Sequence, residues 1–211
     1  MLPGDSDHAF GAYLVEIGWV EAGDFARRND AFFAAYQSGQ LDISAYIEFI
    51  TEPWRERPLA ESQAALANFL QQKIGPLLRR EALDLVRRHR DAGDRLAIVT
   101  ATNDFVTRPI ATHFGIGTLI ATELERDSHG LATGAIRGVP SFGAGKVTRV
   151  ENWLASHGST LSDFDRSIFY SDSTNDLPLL ERVSHPVATN PGPALERIAL
   201  ARGWPVLKLF A

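Results

Sequence analysis

The sequence predicts an α/β fold, in which a helical N-terminal region (residues 1–78) is attached to a mostly parallel sheet formed by residues 79–211. Two observations support this prediction. Apolar residues recur at helical spacing through the first region, with no strand-like alternation. Short apolar runs alternate with amphipathic stretches in the second region, which is typical of βα units.

The N-terminal region has the pattern of successive helices. One apolar stripe runs along the first predicted helix, and an aromatic stripe begins a second one. The first stripe consists of Ala9, Phe10, Tyr13, Leu14 and Ile17, and the second of Phe25, Phe32, Phe33 and Tyr36. Asp42 and Ser44 are candidate N-caps of a further helix between Gly39 and Pro53. We therefore expect residues 1–78 to form a helical cap.

The remaining residues are predicted to alternate between strands and helices. The predicted strands are Leu96–Val99, Leu119–Thr122, Ser167–Tyr170, Pro186–Ala188 and Val206–Leu209. Helices are expected near residues 81–91, 104–114, 145–157, 174–183 and 193–202. A small hairpin or an extra strand is expected at Thr133–Ile136, after Gly130.

Composition limits the classes of partner. With 45% hydrophobic and 22% charged residues, the chain has the composition of a soluble globular protein. Its net charge of -5 argues against nucleic-acid and anionic-membrane partners. The absence of cysteine excludes disulfides and thiolate metal sites. No apolar run approaches the ~20 residues of a membrane span, and no signal peptide is evident. We expect a cytoplasmic protein with a small ligand, and the oligomeric state stays open.

A pair of carboxylates follows one predicted strand. Asp172 and Asp176 come directly after the apolar run that ends at Tyr170, with small polar residues between them. Carboxylates crowded at a strand end repel one another, and a hard cation such as Mg²⁺ relieves that repulsion. The alternative is that both residues cap the following helix.

Two further elements suit an anion. The strand Leu96–Val99 leads into Thr100 and Asn103 before a predicted helix, which would direct hydroxyl and N–H donors to one point. Lys146 opens another helix after a glycine-rich stretch, without the hydroxyl residue that the phosphate loop of nucleotide hydrolases requires after its lysine. Taken singly, these features are better explained by a threonine-rich helix cap and a solvated surface lysine.

In this order, the three elements resemble the second, third and fourth motifs of the haloacid dehalogenase superfamily. The segments VTATNDFVTRPIA, YSDSTNDLPLLE and ATNPGPALERIALARGWPVLKL are similar to its phosphoserine-phosphatase-like branch. The resemblance implies a three-layer sandwich of Rossmann type with an N-terminal helical cap. It also implies a Mg²⁺-dependent phosphatase that acts on a small phosphorylated metabolite.

The resemblance implies a role for each matching residue. Thr100 would bind the phosphoryl oxygens, and Lys146 would neutralise their charge. Asp172 would ligate Mg²⁺, and Asp176 would hold a metal-bound water or orient Lys146. Asn103 and Asn175 would face the substrate.

The first motif of the family has no counterpart in this sequence. That motif is an apolar strand followed by Asp-x-Asp-x-Thr, whose first Asp attacks phosphorus and whose second acts as general acid and base. The segment MLPGDSDHAFG resembles the residues that come directly after that motif in the family. We therefore expect the nucleophile to lie upstream of Met1 in the intact protein, and the 211-residue chain by itself to be inactive. Because the corresponding strand is central in the family's sheet, a gap is expected between the strands that end near Thr100 and Asp172.

The substrate is less constrained than the reaction. Asp5 lies where phosphoserine phosphatases have an acidic residue that pairs with the substrate's ammonium group, although Asp5 equally suits an N-cap. Phosphoserine, histidinol phosphate and a general small phosphomonoester all stay open. Two other classes remain, a phosphotransferase that uses the same aspartyl-phosphate and a catalytically inactive protein that binds phosphate ligands.

Overall fold

The computed structural model describes residues 2–210, which begin with a set of helices that we call the cap. The cap consists of α1 (Ser6–Glu16), α2 (Ala22–Gln37), α3 (Ile43–Arg55) and α4 (Leu59–Phe69). A π-helical turn, Leu70–Ile74, and a 3-10 turn, Gly75–Leu77, follow α4. The next helix begins at Arg80. That the two regions are separate domains stays a prediction.

The second region alternates between strands and helices, as predicted. Its first elements are α5 (Arg80–Asp91), β1 (Ala97–Asn103), α6 (Asp104–His113), β2 (Thr118–Thr122), β3 (Leu124–Arg126) and β4 (Ala132–Ile136). They are followed by α7 (Ala144–Ser156), β5 (Ile168–Ser171), α8 (Leu177–Leu180), β6 (His185–Thr189), α9 (Pro193–Ala201) and β7 (Val206–Leu207). Short 3-10 turns lie at Leu161–Asp163 and Thr174–Asp176. The predicted α/β fold class is therefore confirmed.

One predicted helix is shorter than expected. The segment predicted as a helix over residues 174–183 forms the 3-10 turn Thr174–Asp176 and then the short α8. The Ser173 hydroxyl accepts the Asn175 N–H and fixes the tight turn. Pro178, in the first turn of α8, cannot donate a backbone hydrogen bond, which favours a new helix start at this point.

The parallel strands form two sheets and not one. β1 pairs with β2, and β5, β6 and β7 pair in that order, all in parallel. β3 and β4 form a separate antiparallel hairpin. Among the described residues, β1 and β5 share no ladder of hydrogen bonds, and residues of both strands line one cavity. The predicted gap between these two strands is thus confirmed.

One hydrophobic cluster joins the cap to the second region. Phe10 of α1 packs edge-on against Phe69, with ring centroids 5.1 Å apart. Trp54 of α3 stacks on Phe105 of α6 at 4.5 Å. The same cluster continues to Leu124 in the hairpin. These contacts fix the cap over the carboxyl end of β1.

Across residues 2–210, no helix combines the length and the apolar character that crossing a membrane would require.

Candidate active site

Lys146 and Asp176 form a buried ion pair. Lys146 lies in the first turn of α7, and its Nζ is 2.5 Å from Asp176 Oδ1. The second Asp176 oxygen accepts the Ser171 hydroxyl at 2.7 Å. The two charged side chains are 3% and 6% exposed. Each formal charge therefore has a partner, and the lysine is held in one direction by a carboxylate that is itself fixed.

Glycine permits the close approach that places Lys146. A β-carbon on Gly145 would lie 2.2 Å from the Pro140 carbonyl oxygen, which is closer than any side chain tolerates. Gly143, just before α7, has φ +52°, a conformation that L side chains rarely adopt. The glycine-rich stretch therefore brings α7 against the preceding loop, and it does not form a phosphate loop.

Asp172 follows β5 directly and is exposed toward the cavity. Surrounding protein atoms still remove part of its hydration, which raises the pKa of the Asp172 carboxyl, and the nearby Asp176 charge raises it further while Lys146 opposes it. Neither Asp172 nor Asp176 caps the following turn with its side chain, because Ser173 does so. The capping alternative for the two carboxylates is therefore not what the structure contains.

Thr100 lies in the middle of β1, on the wall of the same cavity. The register between β1 and β2 shifts between Val99 and Asn103, so the strand is irregular where the hydroxyl residues stand. The Thr100 Oγ1 accepts the Thr102 N–H at 3.2 Å. Thr100, Lys146 and Asp172 thus reach one cavity from three elements.

Asn103 has other partners. Its Oδ1 accepts the Val106 N–H at the start of α6, and its Nδ2 donates to Asp7 Oδ1 at 3.0 Å. The side chain is 1% exposed. Contact between Asn103 and a substrate stays a prediction, and it would require one of these buried bonds to break.

Asp5 is the N-cap of α1. Its Oδ1 accepts the N–H groups of Asp7 and His8, at 2.8 and 2.9 Å. This confirms the capping alternative, and the residue also lines the cavity on the cap side. Pairing of Asp5 with a substrate ammonium group stays a prediction.

Asn175 links the second region to the cap. Its Nδ2 donates to the Tyr36 carbonyl at 2.7 Å. The Tyr36 hydroxyl lies 3.5 Å from Ser173 Oγ. Burial raises the pKa of Tyr36 to about 12, and the charges of Asp176, Asp5 and Asp172 add to this effect. Sequence patterns indicated no site role for Tyr36, because its spacing in an aromatic stripe predicts only packing.

Asp7 is a second residue that the sequence did not single out. Its side chain is 5% exposed, and burial raises the pKa of its carboxyl well above the ordinary value, with the Asp5 charge contributing. Hydrogen bonds from Tyr46 and Asn103 act in the opposite direction. Asp7 therefore places a carboxyl group at the cap side of the cavity, and the pattern around it showed no more than a helix start.

The cavity has a volume of about 1070 Å³ and extends from the space between the two parallel sheets to the cap. Apolar side chains of both strands line its lower part, among them Ile98, Val99, Ile168 and Phe169. Its upper part carries the polar site residues, with Asp5 and Asp7 on the cap side. The cavity thus has both apolar and polar lining residues.

The described residues include no group of three or more His, Asp or Glu side chains close enough to hold a metal ion together. Asp172 is an oxygen donor of the type that Mg²⁺ prefers, and its carboxylate accepts no hydrogen bond from another described side chain. The donor set therefore suits a hard cation and requires further oxygen ligands.

Comparison with known proteins identifies the family to which this chain belongs. Residues 1–181 match the sequence profile of haloacid dehalogenase-like hydrolases. A protein of Neisseria meningitidis serogroup C (strain 8013) named histidinol-phosphatase is 42% identical over 207 residues, which are 96% of this chain and 91% of that protein.

Solved structures agree in fold. A protein of unknown function from Bordetella pertussis Tohama I has a TM-score of 0.93 at 46% identity, over 99% of this chain and 94% of that one. A substrate-bound phosphoserine phosphatase has a TM-score of 0.68 at 14% identity, over 98% of this chain and 87% of that one. The second similarity shows a shared fold alone.

Proposed function

Because the chain belongs to the haloacid dehalogenase-like hydrolase family and is a phosphatase, we propose that it hydrolyses a small amino-alcohol phosphate with the help of Mg²⁺. The observation that carries the proposal is that Thr100, Lys146 and Asp172 line one cavity from three separate elements. A hydroxyl, a cation and a carboxylate together suit a phosphoryl group and its metal counter-ion.

In this proposal, Lys146 stabilises the negative charge of the phosphoryl oxygens. A buried cation acts more strongly than an exposed one, because little water screens it. Asp176 is a positioning residue, since both of its oxygens are already bonded to Lys146 and Ser171. This leaves Asp176 less suited to hold a metal-bound water. Thr100 donates its hydroxyl hydrogen to a phosphoryl oxygen.

Asp172 would hold Mg²⁺. A cation beside it offsets the desolvation that raises the pKa of this carboxyl. When bound, Mg²⁺ would neutralise phosphate charge and orient the ester. The remaining ligands would come from water, from the phosphate and from the segment that carries the nucleophile.

We assign the nucleophile to an extended segment in the cleft between β1 and β5. Two features support this assignment: among the described residues β1 pairs only with β2 and β5 only with β6, and the cleft walls are apolar. A strand buried on both faces requires such walls. A parallel strand seated there would end beside Thr100 and Asp172.

The chemistry proposed for that strand end uses two carboxyl groups. The first carboxylate attacks phosphorus, so that an aspartyl-phosphate forms while the bond from phosphorus to the ester oxygen breaks. The second carboxyl group gives its proton to the departing alcohol. It then takes a proton from a water molecule that attacks phosphorus, which releases inorganic phosphate and regenerates the first carboxylate.

Histidinol phosphate is the substrate that we favour over phosphoserine. The relative named histidinol-phosphatase is similar over 96% of the chain at 42% identity, whereas the phosphoserine phosphatase structure shares 14% of its residues. Asp5, on the cap side of the cavity, would pair with the ammonium group that both compounds carry. This contact would be common to both substrates, so the preference for histidinol phosphate rests on the similarity to the relative of that name.

Strand complementation tests the proposal. Three preparations are compared: the chain alone, the chain with a synthetic apolar peptide that ends in Asp-x-Asp-x-Thr, and the chain with the same segment fused before residue 1. Phosphate release is measured from an aryl phosphate, histidinol phosphate and phosphoserine, with and without Mg²⁺. We expect hydrolysis only where the segment is present, only with Mg²⁺, and fastest for histidinol phosphate.

A peptide whose first Asp is replaced by Asn is the matched control, and it should bind without restoring hydrolysis. A folded, strand-bearing chain that hydrolyses none of the three esters would overturn the proposal. Hydrolysis by the chain alone would place the nucleophile among the described residues and contradict the strand assignment.

A further inference from the structure

Tyr36 is a cap residue that contacts two of the core segments that carry or adjoin candidate site residues. Its ring centroid lies 6.1 Å from that of Phe142, in the loop that leads to α7. Its backbone carbonyl accepts the Asn175 side chain at 2.7 Å, and its hydroxyl lies 3.5 Å from Ser173 Oγ. Tyr36 therefore lies over the loop that holds the candidate metal ligand.

The hydroxyl of Tyr36 is available for a better acceptor than the one it has. O–H···O hydrogen bonds usually span about 2.5–3.0 Å, so the 3.5 Å contact with Ser173 is weak. The residue lines the same cavity as Thr100 and Lys146. Burial raises the pKa of the phenol, so the hydroxyl keeps its protonated, donating form.

We infer that Tyr36 contacts the substrate from the cap and donates its phenolic hydrogen to a phosphoryl oxygen. The inference rests on the proposed function, because the ligand it invokes is the phosphate group. An anionic oxygen accepts a shorter and stronger hydrogen bond than a serine hydroxyl. The hydroxyl therefore exchanges Ser173 for the phosphate, while the bond between the Tyr36 carbonyl and Asn175 holds the cap in place.

The test measures binding of inorganic phosphate in the presence of Mg²⁺ by isothermal titration calorimetry. It uses the full chain in the preparation that hydrolyses the aryl phosphate. Tyr36→Phe removes the hydroxyl and keeps both the ring and the carbonyl. Tyr13→Phe is the matched control, because it removes the same atom from a tyrosine that does not line the cavity.

We expect Tyr36→Phe to weaken phosphate binding by about tenfold, as the loss of one hydrogen bond to a charged group predicts. Tyr13→Phe should bind like the wild type. Equal phosphate affinity in Tyr36→Phe and the wild type would overturn this inference and leave the proposed function standing. A wild type that neither hydrolyses the ester nor binds phosphate would overturn the proposed function as well.

Discussion

The Lys146 ammonium group lies 2.5 Å from the Asp176 carboxylate, inside a structure that leaves both side chains almost no exposure. The pair ties the first turn of α7 to the loop after β5. Breaking such a pair on one side costs more than removing it, because the surviving charge stays buried.

Replacing Lys146 with Met should therefore lower the free energy of unfolding by about 3–5 kcal/mol, because the Asp176 carboxylate loses its cation. The double variant Lys146→Met/Asp176→Leu should lose less, since neither charge remains. Urea denaturation near pH 7 measures both. The matched control is Lys73→Met, because Lys73 pairs with Glu16 on the surface, and it should change the value by less than about 1 kcal/mol. A double variant as unstable as the single one would contradict this account.

The order of strands and helices was predictable because each is a local pattern of apolar residues. The convergence of Thr100, Lys146 and Asp172 was predictable for a related reason, since the carboxyl ends of parallel strands meet at one edge of the fold. In the sequence Thr100 and Asp172 follow predicted strands and Lys146 opens a predicted helix, although the structure extends the first of those strands past Thr100 to Asn103. The buried hydrogen-bond partners were not predictable. Asn103 and Asp7 are 96 positions apart in sequence and meet only through packing of α1 against α6.

Tyr36 is a second example of what sequence patterns do not predict. Its spacing placed it in an aromatic stripe, and spacing cannot distinguish an aromatic residue in a core from one over a polar loop. The tertiary contact between the Tyr36 hydroxyl and Ser173 reveals the difference. Residues contributed by the cap are therefore the part of this site that sequence patterns predict least well.

Asp7→Asn should change how stability depends on pH. Burial raises the pKa of Asp7 well above its ordinary value, so the folded chain keeps a proton that the unfolded chain has lost. Stability from this group is therefore greatest at low pH and falls as pH rises from the ordinary Asp range through the raised pKa. The variant lacks this loss, and its stability relative to wild type should rise with pH across that window.

Urea denaturation of Asp7→Asn at several pH values, from about 4 to 8, measures the effect. Asp165→Asn is the control, since Asp165 is exposed and does not line the cavity. Parallel pH profiles for wild type and Asp7→Asn would show that burial of Asp7 is not what governs them.

Trp54→Ala should destabilise the cap and the second region together. Trp54 is 4% exposed, stacks on Phe105 and donates its indole N–H to the Ile50 carbonyl. Truncating a buried tryptophan costs about 3–5 kcal/mol. Because one cluster spans both regions, we expect a single transition at a lower midpoint. Leu200→Ala, at a residue that is 68% exposed, should change stability by less than about 0.5 kcal/mol.

Asp172→Asn should remove the stabilisation that Mg²⁺ gives. A ligand that binds only the folded chain adds about 2.7 kcal/mol at a hundred times its Kd, so the wild-type midpoint should rise with Mg²⁺ concentration. The variant should not respond. In the absence of Mg²⁺ the variant should be at least as stable as wild type near neutral pH. A carboxyl whose pKa is raised destabilises the folded chain once it ionises, and Asn does not ionise.

Thermal unfolding of the chain fused to the Asp-x-Asp-x-Thr segment is followed by circular dichroism, with Mg²⁺ titrated from zero. It measures this response without relying on hydrolysis. Asp91→Asn is the matched control, because it removes one exposed carboxylate that does not line the cavity. It should retain the full response to Mg²⁺. Equal midpoint shifts in Asp172→Asn and wild type would show that other residues bind the cation. A wild type whose unfolding midpoint does not shift would show that this phosphate site does not use Mg²⁺, because a cation held by Asp172 in the folded chain must raise the midpoint.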